Sequence, residues 1–402
     1  MTCTPSLKFQ EDISAYRDEI RKLQQRLSQN PQDAEALRDL GAIYFQTGRY
    51  AQAKTLLTQS AKLNAGDAKT LLYLGLSLEF DNRPELALQV YQKYPQLPRS
   101  RFRKLMEGRY LWLTREMVRR EMQRVVNNPL EAKSPDPAVL AVFPLIYQGK
   151  DRRYAALGRG IAEMLLTDLG QIPRLKLVER VRLSALLEEL ERAQQPYTDP
   201  ATAPRPGRLL GAGQIIGGAF NVLNKRQVQM NLSYWNIARE MRPAFSLERR
   251  ESLQELFRME KEVALEIVGR LGIELTPEIR EKILRIPTRN LQAFLAYCRG
   301  LVAEDEGRFG EAAEAFREAA SLDPNFQQAR QRSEEMETLS QAGGKPEEAK
   351  VAVRQNDPVF RKVTPEPTDL IGERLENLGN HLDANFIPGE DTRKPTEESL
   401  PT

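Results

Sequence analysis

The residues able to do chemistry in this chain are few and poorly spaced for catalysis. Its single histidine, His381, stands in a polar, proline-rich tail. A Ser-His-Asp triad needs an imidazole held between nucleophile and carboxylate, and a histidine metal site needs further ligands at set spacing. Neither context is present. The cluster Gly211-x-Gly213-x-x-x-Gly217 departs from the dinucleotide spacing and precedes a strand instead of joining a strand to a helix. Close packing within a strand accounts for it. Carboxylates are plentiful, as in Glu188-Glu189 and Glu304-Asp305-Glu306, but they alternate with Arg and Lys and read as solvated helix faces. No spaced acid-base pair stands out. Glu179-Arg180 at a strand end is the pair to watch, as a helix cap or a salt bridge. These observations predict no enzyme, no catalytic or metal-ligating residue and no cofactor.

Two cysteines, Cys3 and Cys298, cannot make a disulfide framework. Cys298 reads as a small buried thiol on a helix. Cys3, followed by TPSLKFQ, resembles the first residue of a mature bacterial lipoprotein; an incidental cysteine is the other reading. MTCTPSLKFQEDIS has no apolar core of the kind a signal peptide needs. No apolar run approaches the ~20 residues of a membrane-spanning helix.

Among 402 residues, 29% are charged, yet the net charge is only +3. Nucleic acid is therefore not an expected partner on global charge. The exception is local. RFRKLMEGRYLWLTREMVRREMQRVV is rich in Arg, and Arg115, Arg119 and Arg120 are candidate contacts to an anionic surface. The competing reading is a connecting helix that packs through Phe102, Met106, Leu113, Met117 and Val125.

The elements that position these residues follow from periodicity. Residues 8–28 predict an amphipathic helix, ended by Asn30-Pro31. Gly41, Tyr44 and Ala53 then recur in phase as Gly75, Leu78 and Ala87, at the ~34-residue period of a two-helix repeat. Gly300, Ala312, Phe316 and Pro324 restate the pattern near the C-terminal end. All three stretches resemble tetratricopeptide (TPR) repeats. The resemblance implies paired helices packed through these residues, and surfaces that bind protein partners.

Between the repeats the pattern changes. VLAVFPLI and RLKLVER predict strands, each followed by a helix, and GQIIGGAFNVL and QVQMNLSYWNIA predict a hairpin closed by Asn224-Lys225-Arg226. The second hairpin strand alternates Val228, Met230, Leu232, Tyr234 with polar residues, so one face is buried. AREMRPAFSLERRESLQ reads as charged and soon helical. The stretches AVFPL, LGRGIAEMLLTDLGQIPRLKLVERVRLSALLEEL and LLGAGQIIGGAFNV resemble the CsgG family of curli-secretion proteins, and more broadly the TolB N-terminal-like domain. That resemblance implies a bacterial envelope location, often as an outer-membrane lipoprotein, and homo-oligomeric assembly through this domain. The family's secretion branch needs membrane-crossing strands, and the short hairpin connection offers no place for them.

The expected fold class is α+β multidomain: helical TPR segments flanking a central α/β sandwich domain, with a disordered C-terminal tail. The expected divisions are 1–30 leader and helix, 31–97 two repeats, 98–137 basic helical linker, 138–286 CsgG-like domain, 287–340 third repeat with capping helix, and 341–402 mostly disordered tail. Within the tail, DLIGERLENLGNHLDANF is compatible with a short helix. The functional expectation is a non-enzymatic envelope scaffold, attached through a lipidated Cys3, or alternatively a cytoplasmic regulatory scaffold.

Overall fold

The computed structural model describes residues 13–192, 204–237 and 243–361. Cys3, His381 and the helix expected in 369–386 lie outside these residues.

The N-terminal block comprises α1 (Arg17–Gln29) and two antiparallel pairs, α2 (Ala34–Gln46) with α3 (Tyr50–Leu63) and α4 (Ala68–Phe80) with α5 (Pro84–Tyr91). Asp33 and Asp67 cap the first helix of each pair by accepting the Ala36 and Lys69 backbone N–H, both at 3.0 Å. The turn inside each pair needs a left-handed residue. Gly48 supplies it in the first pair (φ +79°) and Asn82 in the second (φ +53°), the non-glycine type that tolerates this region best.

α6 (Arg101–Asn127) follows, with Ser100 accepting the Arg103 N–H at 3.1 Å. It is a central strut and not a linker. Its first half packs on α4 and α5, and its second half on the helices of the central domain.

The central layer contains β1 (Asp136–Val142), β2 (Ile146–Tyr147), α7 (Leu157–Leu169), β3 (Lys176–Leu177), α8 (Arg180–Arg192), α9 (Pro204–Leu209), β4 (Ala212–Leu223), β5 (Gln227–Asn236), β6 (Pro243–Ser252), α10 (Leu256–Arg270) and α11 (Pro277–Ile283). The sheet runs β3-β1-β4-β5-β6, with β2 continuing the β1 side against β4. β1 is parallel to β3 and β4; β4, β5 and β6 form an antiparallel meander. Asn224 and Lys225 both have positive φ, 51° and 56°, and with Arg226 they make a three-residue connection between the paired Leu223 and Gln227. Ile216, Phe220, Val228, Met230 and Leu232 face α7 and α10 in one core. On the other side of the sheet, Ala141 and Ala212 meet Leu183, Leu186 and Leu190 of α8 and Met122 of α6.

Two sequence expectations are corrected here. The segment after β5 is a strand, β6, before it becomes helical. It is an edge strand whose outward positions carry Ser246, Glu248 and Arg250, and a charged edge resists pairing with other chains while hiding the strand from a composition-based reading. Part of the proline-rich loop is helical too, because prolines at the start of α9 fall where a helix has no N–H to lose.

The C-terminal helices are α12 (Leu291–Asp305), α13 (Phe309–Leu322), α14 (Gln327–Gln341), α15 (Pro346–Asn356) and α16 (Pro358–Arg361). The last two correct the expectation of a tail disordered from residue 341. Ala349, Val353 and Phe360 are buried against the N-terminal block, which lies far away in sequence and so leaves no local signal. α12 lies against α7, where a Cβ added to Gly160 would sit 2.2 Å from Cys298 Sγ. Cys298 is wholly buried, and burial pushes its thiol far above the ordinary range, so it serves as packing.

Candidate functional site

The repeat residues singled out by periodicity fall at helix crossings. A Cβ on Gly41 would meet Leu57 Cγ at 2.8 Å; on Gly75, the Tyr91 ring at 2.2 Å; on Gly300, the Phe316 ring at 2.6 Å. Ala53, Ala87, Ala312 and Phe316 are fully buried. Tyr44 is half-buried, with the Arg49 guanidinium 5.8 Å from its ring. Pro324 is exposed in the turn after α13, which corrects its assignment as a packing residue. Phe326, two positions on, fills that place and is buried against Tyr297 with ring centroids 4.8 Å apart.

The three arginines offered to an anionic surface are engaged within the chain. Arg115 donates to Glu304 Oε1 at 2.7 Å. Arg119 donates to Glu188 at 3.1 Å and Glu116 at 3.3 Å, and Arg120 to Glu116 at 3.0 Å. Arg115 is thereby corrected from surface contact to interior tie. The helix carries many arginines because its neighbours present carboxylates.

Those carboxylates form a hub where five helices meet. Glu304 of α12, its side chain fully buried, receives Arg115 of α6, Arg180 of α8 and Arg332 of α14. Asp305 receives Arg180 Nη1 at 2.8 Å and the Ser184 hydroxyl at 2.9 Å, with Arg159 Nε 2.5 Å away. Glu163 of α7 accepts from Arg332 at 3.1 Å. Burial alone would raise the Glu304 carboxyl, but Arg180, Arg332 and Arg115 outweigh it and hold it down at about 2. Glu304 and Asp305, read from sequence as a solvated face, are thus the hub's anions, committed to guanidinium partners. Arg180, the watched member of Glu179-Arg180, does form salt bridges here. Periodicity places Glu304 on a helix but says nothing about which distant arginines converge on it.

Beside the hub lies a cleft of about 710 Å³, with Phe143, Leu187, Ile215 and Trp235 on its apolar wall and Arg159 and Asp305 at its rim. It has room for an apolar group, and its charged lining is mainly acidic, with Glu188, Glu191, Asp305 and Glu306 beside Arg159. A second polar cluster is buried behind α7. Lys261 Nζ donates to Asp168 at 2.6 Å and lies 3.2 Å from Glu260. Burial and then the nearby Asp168 charge push the Glu260 carboxyl up to about 8. Among the described residues, no group of three His, Cys, Asp or Glu side chains is placed to hold a metal, and no helix is long and apolar enough to cross a membrane.

Two tetratricopeptide-repeat family models match the sequence, one at residues 20–74 and one at 293–326. The chain therefore carries tetratricopeptide repeats on both sides of a small mixed sheet, and the fold is mostly helical. Neither match is to a catalytic family. Repeats of this kind generally mediate protein–protein interaction, which makes an interaction scaffold the class of protein defined here. No curated protein matches the sequence. Among solved structures, a tetratricopeptide repeat protein from Parabacteroides merdae ATCC 43184 is similar at 12% identity, covering 81% of this chain and 96% of that one, with a TM-score of 0.23. That score is too low to equate the two folds.

Proposed function

We propose that this protein is a non-enzymatic scaffold of the bacterial envelope, accessory to outer-membrane or periplasmic assembly or secretion and not itself a pore. In this reading the central layer is a CsgG-like domain that assembles as a homo-oligomer, and a lipidated Cys3 attaches the chain to a membrane. The observation that carries the scaffold role is the Glu304 hub. It binds α6, α8, α12 and α14 to one carboxylate or its neighbour, so a partner held on the repeats keeps a set relation to the central layer. The three-residue connection Asn224-Lys225-Arg226 supports the non-pore reading, because it leaves no length for an inserted membrane hairpin between β4 and β5.

Cell fractionation with the mass of the N-terminal peptide tests the location. Membrane association with an acylated Cys3 supports the proposal. A soluble cytoplasmic protein with an unmodified N-terminus overturns the envelope reading and makes a cytoplasmic regulatory scaffold the working alternative. Light scattering of the purified chain tests assembly; a monomer at all concentrations removes the homo-oligomer.

A further inference from the structure

The inner face of the N-terminal block, lined by α2 and α4, is occupied by the chain itself. α15 and α16 lie along it. Gln46 Nε2 donates to the Lys350 carbonyl at 3.1 Å. Lys69 Nζ and the Tyr73 hydroxyl donate to the two carboxylate oxygens of Asp357 at 2.8 and 2.9 Å, and Lys69 also reaches Asp39 at 2.8 Å. The Lys350 ammonium lies 5.8, 5.4 and 5.9 Å from the ring centroids of Phe45, Tyr50 and Phe80. Phe360 meets Tyr16 edge-on at 5.6 Å.

This contact has the composition of a bound peptide. The arm buries only three apolar side chains, Ala349, Val353 and Phe360, while Val351 faces solvent. Its specificity comes from one carboxylate and one ammonium. The surface beneath is mixed: Gln46, Lys69, Tyr73 and Asp39 bring polar atoms to it beside the Phe45, Tyr50 and Phe80 rings. An open depression of about 520 Å³, bordered by Arg38, Lys69, Phe102, Asp357 and Val359, shows that the arm does not fill the face. The base of the arm is anchored. Gly343 turns the chain at φ +73°, and Arg109 Nη1 holds the Gly343 and Gly344 carbonyls at 2.7 Å each, so a displaced arm would stay tethered at this turn.

We propose that this inner face is a binding site for a helical protein segment carrying Asp-x-x-Phe, and that residues 345–361 occupy it as a tethered ligand which a partner segment of the same chemistry must displace. The carboxylate goes to Lys69 and Tyr73, and the aromatic to Tyr16. Tethering gives the arm an effective concentration on the order of mM, so the closed chain excludes weak competitors. The inference deepens the scaffold reading and rests on it.

The probe is a fluorescein-labelled peptide of residues 344–362, added to the full-length chain and to a full-length Asp357→Asn/Phe360→Ala variant whose groove is intact. The variant should bind the probe at least about tenfold more tightly than the unaltered chain. Its hydrogen exchange should rise in 346–361 while α2 and α4 stay protected. Adding Lys69→Met should abolish the gain. Equal probe binding by both chains overturns the proposal. So does exchange in 346–361 that rises only together with α2 and α4, since the arm would then be part of the core. A dimer of the unaltered chain that dissociates in the double variant would make a second copy the occupant and overturn the assignment to a partner. These results leave the scaffold reading to its own measurements of location and assembly.

Discussion

Arg109 and Glu79 form a buried bidentate pair between α6 and α4. Arg109 Nε donates to Glu79 Oε1 at 3.1 Å and Nη2 to Oε2 at 2.5 Å, with both side chains almost wholly removed from solvent. The Tyr91 hydroxyl adds a bond to Glu79 Oε1 at 2.7 Å. The remaining Arg109 donor holds the base of the arm, and its guanidinium lies 4.5 Å from the Trp112 ring centroid. Replacing Arg109 with Met should cost about 3–5 kcal/mol, because Glu79 would stay buried without its cation. Urea unfolding of the single and double variants measures this. In the Arg109→Met/Glu79→Leu chain most of the loss should return, as no unpaired charge remains.

Glu304 sets an acid limit. Its folded-state value of about 2 lies below the ordinary glutamate value of 4.5, so its stabilisation is complete above the unfolded value and is lost as pH falls from about 4.5 through 2. A Glu304→Gln variant should lose about 1–3 kcal/mol at neutral pH, because Arg115, Arg180 and Arg332 lose their shared anion while Arg180 keeps Asp305. Its denaturation midpoint should also vary less with acid than that of the unaltered chain. Parallel chemical melts at pH 7, 4.5 and 3 check both parts.

Glu260 has the opposite sign. Its carboxyl is raised, so the protonated form is the one the folded state favours, and stability falls as pH rises from about 4.5 through 8. Glu260→Gln imitates the protonated form. It should raise stability by several kcal/mol at pH 9, at ~1.4 kcal/mol for each pKa unit, and leave it nearly unchanged at pH 4. Equal effects at the two pH values would show that the buried carboxyl does not titrate in this range.

Gly108 lies where α6 packs closely against the C-terminal end of α14. A Cβ there would lie 2.4 Å from Ala342 Cβ and 2.5 Å from the Thr338 carbonyl oxygen, and the latter is backbone that cannot swing away. Gly108→Ala should therefore cost about 1–3 kcal/mol, despite alanine's better helix propensity. Calorimetry should show the unfolding of the N-terminal block separating from the rest, if α6 is what couples them.

Much of the local architecture was legible. The phase of Gly41, Gly75 and Gly300 marks helix crossings because only a residue without Cβ fits against Leu57, Tyr91 or Phe316. The alternation of Val228, Met230, Leu232 and Tyr234 marks one buried sheet face. β6 was missed because its edge position permits charges on alternate residues. The arm was missed because its few buried side chains have partners some three hundred residues earlier, as in the bond from Lys69 to Asp357. Arg115 was read by composition as a surface cation, whereas it and Arg109 are interior partners of buried carboxylates.

The sequence by itself determined the repeats, the hairpin and its tight turn, since each depends on neighbours within one helical pair or two strands. Only the tertiary structure decided which charges are buried, that α6 joins both repeat blocks to the central layer, and that the chain fills its own inner face. Apolar periodicity reports the face a residue occupies. Ion pairs and docked segments depend on what stands opposite, and that is set by long-range packing.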